Sequence, residues 1–525
     1  IMKLRTIVKI AITSSVVLLC SGFALYSFFR LSAAEGQKDF DLYELVPSTT
    51  SAVFVTDDVL EFVAEVDDLT CSKNQQYLYV SKLFSYLKQS LYALSEDTPH
   101  GLSRQMNQML ISFHEPDNER NQVLYCRLGN GDKELVNRFV RKYISSLYPP
   151  KTFIYKGEEI IIYPMADGDF LACYLTSDFM ALSFQKKLIE NVIDAYKSGK
   201  SLADDSTFTG IRAPKKSAAA ATIYTRMQGM MGWTEFDMKM KDDFIYFSGI
   251  THDADTCFAF INQLRQQQSV KGFPGEVLPS TAFYFSRQGI TDWVSLLSYG
   301  NAQGQSVPAR TSEVQNRDKE FSRYLMENAG QDLVACLFQR EDTLQGAAAV
   351  LSLSVADVTE AERMLRALVN AASADEGRRN PRITFCYTVN KAYPIYRLPQ
   401  TTLFEQLTSF AEPTLDVYAA FYGGRLLLAP DADALAHYIR QLDKGEVLNG
   451  AMVYQTGMDH LSDSYHFMLM ADFDHIFQQS ENHVRFVPDF FLRNADFFRH
   501  FTLFVQFACA DGVVYPNIVL KYKSE

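Results

Sequence analysis

Two pairs of serine and lysine offer a nucleophile and a base at a useful spacing. Ser85 precedes Lys88 in the string SYLK, and Ser183 precedes Lys186 in SFQK. Residues three positions apart face the same side of a helix, so each lysine could accept the proton of its serine, as in some hydrolases. Strings of this length arise often by chance, and neither is accompanied by the further motifs of those enzymes. We therefore interpret both pairs as structural.

Acidic residues and histidines near the C-terminal end raise the question of a metal site. One short stretch contains Asp472, Asp474, His475 and His483. However, no two histidines of the chain have the HxH or HxxxH spacing that puts both imidazoles on one face. The paired aspartates elsewhere lack the ligand spacing of a calcium-binding loop. Since nucleophile-elbow, zinc-protease and phosphate-binding glycine motifs are also missing, the sequence predicts no metal, cofactor or catalytic residue.

Aromatic residues form a more specific pattern in the segment 476–501. If the segment is helical, five of its phenylalanines share one stripe. They are Phe490, Phe491, Phe497, Phe498 and Phe501. One interpretation is that this stripe packs on its own domain. The other is that it forms an exposed surface for a partner protein, a lipid or the other domain, and on that reading these residues are our candidate interaction surface.

The elements that carry these residues occur twice in the same order. LVPSTTSAVFV at 45–55 corresponds to VLPSTAFYF at 277–285, and each phrase is followed by helical and strand-like stretches in matching sequence. A glycine follows the second helix of each half, at Gly199 and Gly445, as a helix C-cap requires. The junction at 269–279 contains two glycines and two prolines, which is typical of a domain boundary.

A chain of 525 residues is too long for a single core. We predict an α+β fold in which two tandem repeats, 38–271 and 272–525, follow an N-terminal transmembrane helix. Each repeat is expected to be a mostly antiparallel sheet with helices packed on one face. The second repeat carries the Phe-rich insertion near 476–501.

The N-terminal residues predict a membrane anchor. Three basic residues precede an uncharged run of twenty residues at 10–29, and Arg30 ends it. At about 1.5 Å per residue the run is about 30 Å long as a helix, which is the thickness of the hydrocarbon core of a bilayer. The excess of cations before the run predicts that the N-terminus stays in the cytoplasm and that the rest of the chain crosses the membrane.

This anchor divides the start of the chain into three parts. Residues 1–9 are the predicted cytoplasmic N-terminus, 10–30 the transmembrane signal anchor and 31–37 a linker. The alternative is a cleaved signal peptide, because the small residues at 32–34 suit a signal peptidase.

Charge and cysteine content limit the possible partners. There are 62 acidic and 50 basic side chains, giving a net charge of −12, and no long basic stripe. A nucleic-acid partner is therefore disfavoured. The eight cysteines form no CxxC pair, and most lie in apolar strand-like runs, so we expect few disulfides or none.

The layout of an N-terminal anchor, the LVPSTTSAVFV phrase and paired β-rich halves resembles an uncharacterised family of membrane-anchored envelope proteins of Gram-negative bacteria. The resemblance implies a domain of unknown function with tandem α+β repeats. It also implies single-pass attachment to the inner membrane through residues 10–29, with the bulk of the chain in the periplasm. It provides no catalytic residues.

From these observations we expect a non-catalytic, membrane-anchored periplasmic protein that acts as a scaffold or interaction module and contacts an envelope protein partner. The alternative is a periplasmic binding module for an apolar or peptide-like ligand. A hydrolase is the least favoured class, since no motif supports it.

Overall fold

The structure is a computed structural model, and the residues that it describes fall into ranges separated by gaps. They are residues 40–74, 106–114, 120–129, 132–139, 148–165, 168–212, 219–226, 232–251, 259–294, 296–297, 312–340, 346–375, 383–389, 391–399, 401–408, 416–479, 487 and 489–523. The predicted parts 1–9, 10–30 and 31–37, together with Ser85, Lys88 and His483, lie outside these ranges.

The strands of the described ranges are distributed evenly between the halves. The first half contains β1 (Ala52–Thr56), β2 (Met109–Phe113), β3 (Gln122–Arg127), β4 (Lys151–Tyr155), β5 (Glu158–Pro164), β6 (Phe170–Leu175), β7 (Phe179–Ser183), β8 (Ala221–Thr225), β9 (Thr234–Lys241), β10 (Phe244–Thr251) and β11 (Val270–Lys271). The second half contains β12 (Ala282–Gly289), β13 (Ala329–Gln339), β14 (Ala347–Val355), β15 (Ile383–Tyr387), β16 (Ala392–Pro399), β17 (Asp416–Tyr422), β18 (Arg425–Ala429), β19 (Ser464–Tyr465), β20 (Phe467–Asp472), β21 (Phe501–Ala510) and β22 (Val513–Tyr522).

Helices alternate with these strands. The α-helices of the described ranges are α1 (Val59–Asp68), α2 (Thr70–Lys73), α3 (Asp132–Phe139), α4 (Lys186–Ser198), α5 (Ser206–Ile211), α6 (Ala259–Gln266), α7 (Ser312–Asn328), α8 (Val358–Asp375), α9 (Leu403–Leu407), α10 (Ala432–Asp443), α11 (Met452–Met458), α12 (Phe473–Phe477), α13 (Asp489–Arg493) and α14 (Ala495–Phe498). Short 3-10 helices cover Leu42–Leu45, Leu202–Asp204, Pro274–Glu276 and Leu448–Gly450.

In the described part, 20 strands form one antiparallel sheet, and β11 pairs with β19 apart from it. The order across the first half is β4-β5-β6-β7-β3-β2-β1-β8-β9-β10. The order continues through β22-β21-β20-β12-β13-β14-β18-β17-β16-β15. Each half therefore runs through its strands in the same sequence from its outer edge to the junction, where β10 pairs antiparallel with β22.

The predicted fold class is wrong in two respects. Both halves belong to one continuous sheet rather than to two separate sheets. Their last strands, β10 and β22, pair with each other and so join the two halves. Helices also cover both faces of the sheet. In β14, Val350 packs in the same core as α10, whereas its neighbour Leu351 packs in the same core as α8. Strands buried on both faces read as continuous apolar runs, as in 333–338, and such runs do not reveal how many faces are covered.

The transmembrane element of that fold class also finds no counterpart among the described helices. None of them is long and apolar enough to cross a membrane. The segment 10–29, on which the prediction rests, lies outside the described ranges.

Local sequence chemistry explains where the main helices begin and end. Asp431 caps α10 by accepting a hydrogen bond from the backbone N–H of Ala434 at 2.7 Å. Gly199 ends α4 in the left-handed conformation, with φ of 63°, and this confirms the predicted C-cap. These two helices bury their apolar stripes against opposite ends of the sheet, so each end is rigidly supported.

Candidate functional site

The phenylalanines predicted as an interaction surface lie where the two halves meet. Phe498 and Phe501 are 7% and 0% exposed, in a core formed mainly by the first half. Phe491 and Phe497 are half-buried and pack against the same core. Phe490 lies in α13, and its side chain is outside the part that the structure describes. Contact of these rings with a separate partner molecule stays a prediction.

The same rings form a continuous chain within the second half, beside the core of the first half. The ring centroids of Phe491 and Phe498 are 4.8 Å apart, and those of Phe497 and Phe501 are also 4.8 Å apart. Phe501 continues the chain to Tyr522 of β22 at 5.4 Å. Aromatic pairs at these separations add to the free energy gained by burial, so the stripe stabilises the contact between the halves.

One serine contacts a histidine in the manner of a nucleophile and its base. Ser112 Oγ lies 2.9 Å from His114 Nε2 and 3.0 Å from the hydroxyl of Tyr125. Ser112 and Tyr125 are 0% exposed, so a substrate cannot reach the serine. Burial also lowers the pKa of His114 to about 4, because the imidazole loses solvation when it is charged. The cluster satisfies buried polar groups and does not form an open catalytic site.

Ser183 and Lys186, the predicted Ser–Lys pair that lies within the described ranges, bond to other groups and not to each other. Ser183 Oγ donates to the carbonyl of Gln122 at 2.8 Å, whereas Lys186 Nζ pairs with Glu190 at 2.7 Å. Ser183 is fully buried between two strands. Its hydroxyl stabilises the sheet, as the structural interpretation of this pair expects.

The acidic stretch near the C-terminal end forms an ion-paired cluster. His475 Nδ1 donates to Asp472 at 3.2 Å, and Lys523 Nζ pairs with the other carboxylate oxygen at 2.7 Å. The hydrogen bond to Asp472 raises the pKa of His475. No group of three metal-binding side chains occurs within the ranges that the structure describes. The cluster ties β20 to the end of β22.

An exposed apolar strand, β15, lies at the outer edge of the second half. Among the described residues it pairs only with β16, so its other backbone edge faces no described strand. Ile383, Phe385 and Tyr387 are 39%, 53% and 69% exposed, and their period of two puts them on one face. The strand contains no charged residue and no proline, the usual protections of a sheet edge. Such an edge favours pairing with another polypeptide.

An open groove of about 780 Å³ lies beside this face. Its walls are α8, the β15–β16 hairpin and the turn between β17 and β18. The strand contributes Ile383 and Phe385 to the lining, and α8 contributes Arg366 and Asn370. This volume is within the usual range of ligand sites, about 300–1,000 Å³. The arrangement offers an apolar floor with a polar wall.

A network of three side chains fixes α8 against the hairpin. The Tyr396 hydroxyl donates to Glu362 at 2.7 Å and accepts from Arg366 Nε at 2.7 Å, while Arg366 also pairs with Glu362 at 2.9 Å. Burial raises the pKa of Tyr396 to about 12, so its hydroxyl remains protonated and keeps donating. On the opposite face Cys386 is 0% exposed against α10. The strand is therefore held in place before any ligand arrives.

The sequence contains a signal for this strand that is easy to misread. Ile383, Phe385 and Tyr387 alternate with Thr384 and Cys386, which predicts a strand with one apolar face. The usual interpretation places that face in the core, and only the strand order shows that β15 lies at an edge. Lack of charge does not mark it either, because the buried strand β7 is also uncharged, and the sequence therefore holds no signal that separates this edge strand from a core strand.

No protein family model, curated protein sequence or solved structure matches this chain. No activity is transferred to it by similarity.

Proposed function

We propose that this protein is a non-catalytic interaction module of the cell envelope that binds an extended, largely apolar segment of a partner protein along β15. The observation that carries the proposal is the exposed row of Ile383, Phe385 and Tyr387 beside a backbone edge that faces no described strand. Large apolar side chains in a contiguous exposed patch are typical of protein interaction sites.

The backbone of β15 supplies the affinity in this mode of binding. A strand added to a sheet edge forms main-chain hydrogen bonds that do not depend on its sequence. The side chains of the added strand then alternate between the face of Phe385 and the opposite face. Specificity arises on the Phe385 face, where the groove receives every second side chain.

The charges near the groove indicate what the segment carries at one end. Lys391 follows β15 in the hairpin turn, is exposed, and has no ion-pair partner among the described residues, although its ammonium group lies 5.2 Å from the ring of Tyr393. Arg366 is already paired with Glu362. The segment that fits best is therefore apolar along its length and carries a carboxylate near Lys391.

The proposal includes the expected location. The basic residues before 10–29 support an N-terminus in the cytoplasm, and the rest of the chain then lies in the periplasm at the inner membrane. Fractionation of cells that express the full chain tests this part separately. Release of the protein from the membrane fraction by high salt alone would contradict it.

A displayed library of random twelve-residue peptides, selected on the full chain in detergent, tests the binding site. We expect enrichment of proline-free peptides with alternating apolar residues. Phe385→Asp should weaken their binding at least tenfold while leaving the thermal midpoint unchanged, because the ring is more than half exposed. The matched control is Met452→Asp, which changes an apolar side chain that is 76% exposed on α11 and should leave binding intact.

N-methylation of alternate residues in an enriched peptide tests the role of the backbone. This change removes the N–H groups that would bond to β15, so affinity should be lost for the methylation register that faces the edge. Equal affinity of both registers would contradict strand addition and favour the second candidate, a small apolar ligand held in the 780 Å³ groove. No enrichment, or equal binding to Phe385→Asp, would overturn the assignment of the site.

A further inference from the structure

The outer edge of the first half shares with β15 exposed apolar side chains and a backbone edge that faces no described strand, although β4 contains Lys151 and its exposed apolar side chains do not form one row. Strand β4 pairs only with β5 among the described residues, so it also has an edge that faces no described strand. Two adjacent residues of β4, Phe153 and Ile154, are 41% and 72% exposed and project from opposite faces of the sheet. In the strand order, β4 ends the first half as β15 ends the second.

We propose that β4 is a second docking edge for the same class of extended apolar segment, so that one copy of the chain holds two segments at once. This inference rests on the proposed function of β15. Two open edges at the ends of one sheet make the protein a bridge between two segments rather than a receptor for one.

The hairpin that carries β4 is fixed from the helix side. Lys156 pairs with Asp194 of α4 at 2.7 Å, and the Tyr155 hydroxyl donates to the same carboxylate at 3.1 Å. Lys197 of α4 pairs with Glu158 of β5 at 2.8 Å. An edge held in this way loses little conformational freedom when a segment binds.

The charge at this edge selects the same kind of segment. Lys151 is exposed at the start of β4 and has no ion-pair partner among the described residues, whereas Lys391 lies at the opposite end of its strand, in the turn after β15. In a chain with a net charge of −12, an unneutralised lysine beside each open edge favours a segment with a carboxylate near one end.

The two edges lie at opposite ends of the strand order, with 18 strands between them. A segment that pairs along one edge strand uses the backbone groups of that strand alone. Two segments therefore bind independently, one at each edge.

The test uses full-length variants that leave only one edge competent. The peptide library is selected separately on Phe385→Asp, which leaves β4, and on Ile154→Asp, which leaves β15. We expect alternating apolar peptides from both selections, and native mass spectrometry should show two bound peptides on the wild-type chain. Each single variant should bind one peptide, and the double variant should bind none.

Charge reversal gives a second, independent readout. Lys151→Glu should weaken the binding of a peptide with an acidic end residue to β4 about tenfold. The same substitution should strengthen the binding of a peptide that has lysine in place of that acidic residue. Met452→Asp again serves as the exposed apolar control and should keep both sites.

The outcomes separate this inference from the proposed function. If Ile154→Asp and the wild-type chain each bind one peptide and Phe385→Asp enriches nothing, the second site is wrong and the site at β15 stands. If Ile154→Asp enriches nothing while Phe385→Asp binds one peptide, the proposed site at β15 is wrong. If Ile154→Asp still binds two peptides, the assignment of the second site to β4 is overturned.

Discussion

Ile245 of β10 lies directly opposite Leu520 of β22, and both side chains are buried in one core shared by the two halves. At this pair of strands, each half contributes side chains to a core of the other half. Leu520 and Tyr522 of the second half join the core of the first, while Phe244 and Tyr246 of the first half pack against a core of the second. The halves therefore depend on each other for burial, and among the described strands only β4 and β15 have an edge without a neighbouring strand in this sheet.

Phe501→Ala should destabilise the protein by about 3–5 kcal/mol. The ring is 0% exposed and contacts both Phe497 and Tyr522, so its removal opens a cavity at the junction of the halves. Urea unfolding followed by far-ultraviolet circular dichroism measures the change. Phe385→Ala is the control, because that ring is 53% exposed and its loss should cost little. Equal effects of the two substitutions would contradict a core role for Phe501.

Turns and caps could be predicted from the sequence because they depend on a few adjacent residues. Gly423 and Gly424 both have positive φ in the turn between β17 and β18, the conformation that two adjacent glycines favour in a two-residue hairpin. Asp511 and Gly512 also both have positive φ, in the turn between β21 and β22. The pairing of β10 with β22 could not be predicted, since an alternating pattern does not specify which strand lies next to it.

The candidate site shows the same limit. Spacing groups the phenylalanines on one helical stripe, but the structure divides them between α13, α14 and the start of β21, and spacing does not say which surface they meet. Phe498 and Phe501 meet the core of the other half, and Phe385 is exposed, although all three are apolar residues in regular elements. Exposure of a strand depends on its place in the sheet, which is fixed by contacts between residues far apart in the chain.

Gly289→Ala should destabilise the protein by at least about 1–3 kcal/mol. A Cβ atom at this position would lie 2.0 Å from the carbonyl oxygen of Gln268, and backbone atoms cannot move aside easily. Gly210→Ala is the matched control, because its Cβ meets nothing within 4 Å. Gly210 lies in α5, where alanine should stabilise by about 0.5–1 kcal/mol. Thermal melts of the two variants should shift in opposite directions, and a shift in the same direction would contradict the close approach.

Asp332→Ala should cost about 3 kcal/mol, because it leaves two half-buried arginines without their buried counter-ion. Arg287 Nε pairs with Asp332 at 3.0 Å and Arg425 pairs with it at 3.3 Å. Burial alone would raise the pKa of Asp332, but the attraction of these arginines outweighs it and lowers that pKa. The charge is therefore retained in the folded protein.

The exposed pair of Glu360 and Arg363 provides the comparison for Asp332. Glu360→Ala should change the free energy of unfolding very little, since both charges stay solvated when the pair is broken. Chemical denaturation at pH 7 measures both variants. A loss at Asp332 no larger than the loss at Glu360 would contradict the buried network.

His114 should make the protein less stable in mild acid. Burial lowers the pKa of this imidazole to about 4, whereas in the unfolded chain it titrates near 6.5. The unfolded state therefore takes up the proton first, so the stabilising contribution is complete above about pH 6.5 and is lost as the pH falls towards 4. The full loss is up to about 3 kcal/mol, at about 1.4 kcal/mol per pKa unit. His114→Gln cannot take up this proton, so its free energy of unfolding should fall less than that of the wild-type protein between pH 7 and pH 4. Parallel curves over that range would show that His114 is not buried in its neutral form.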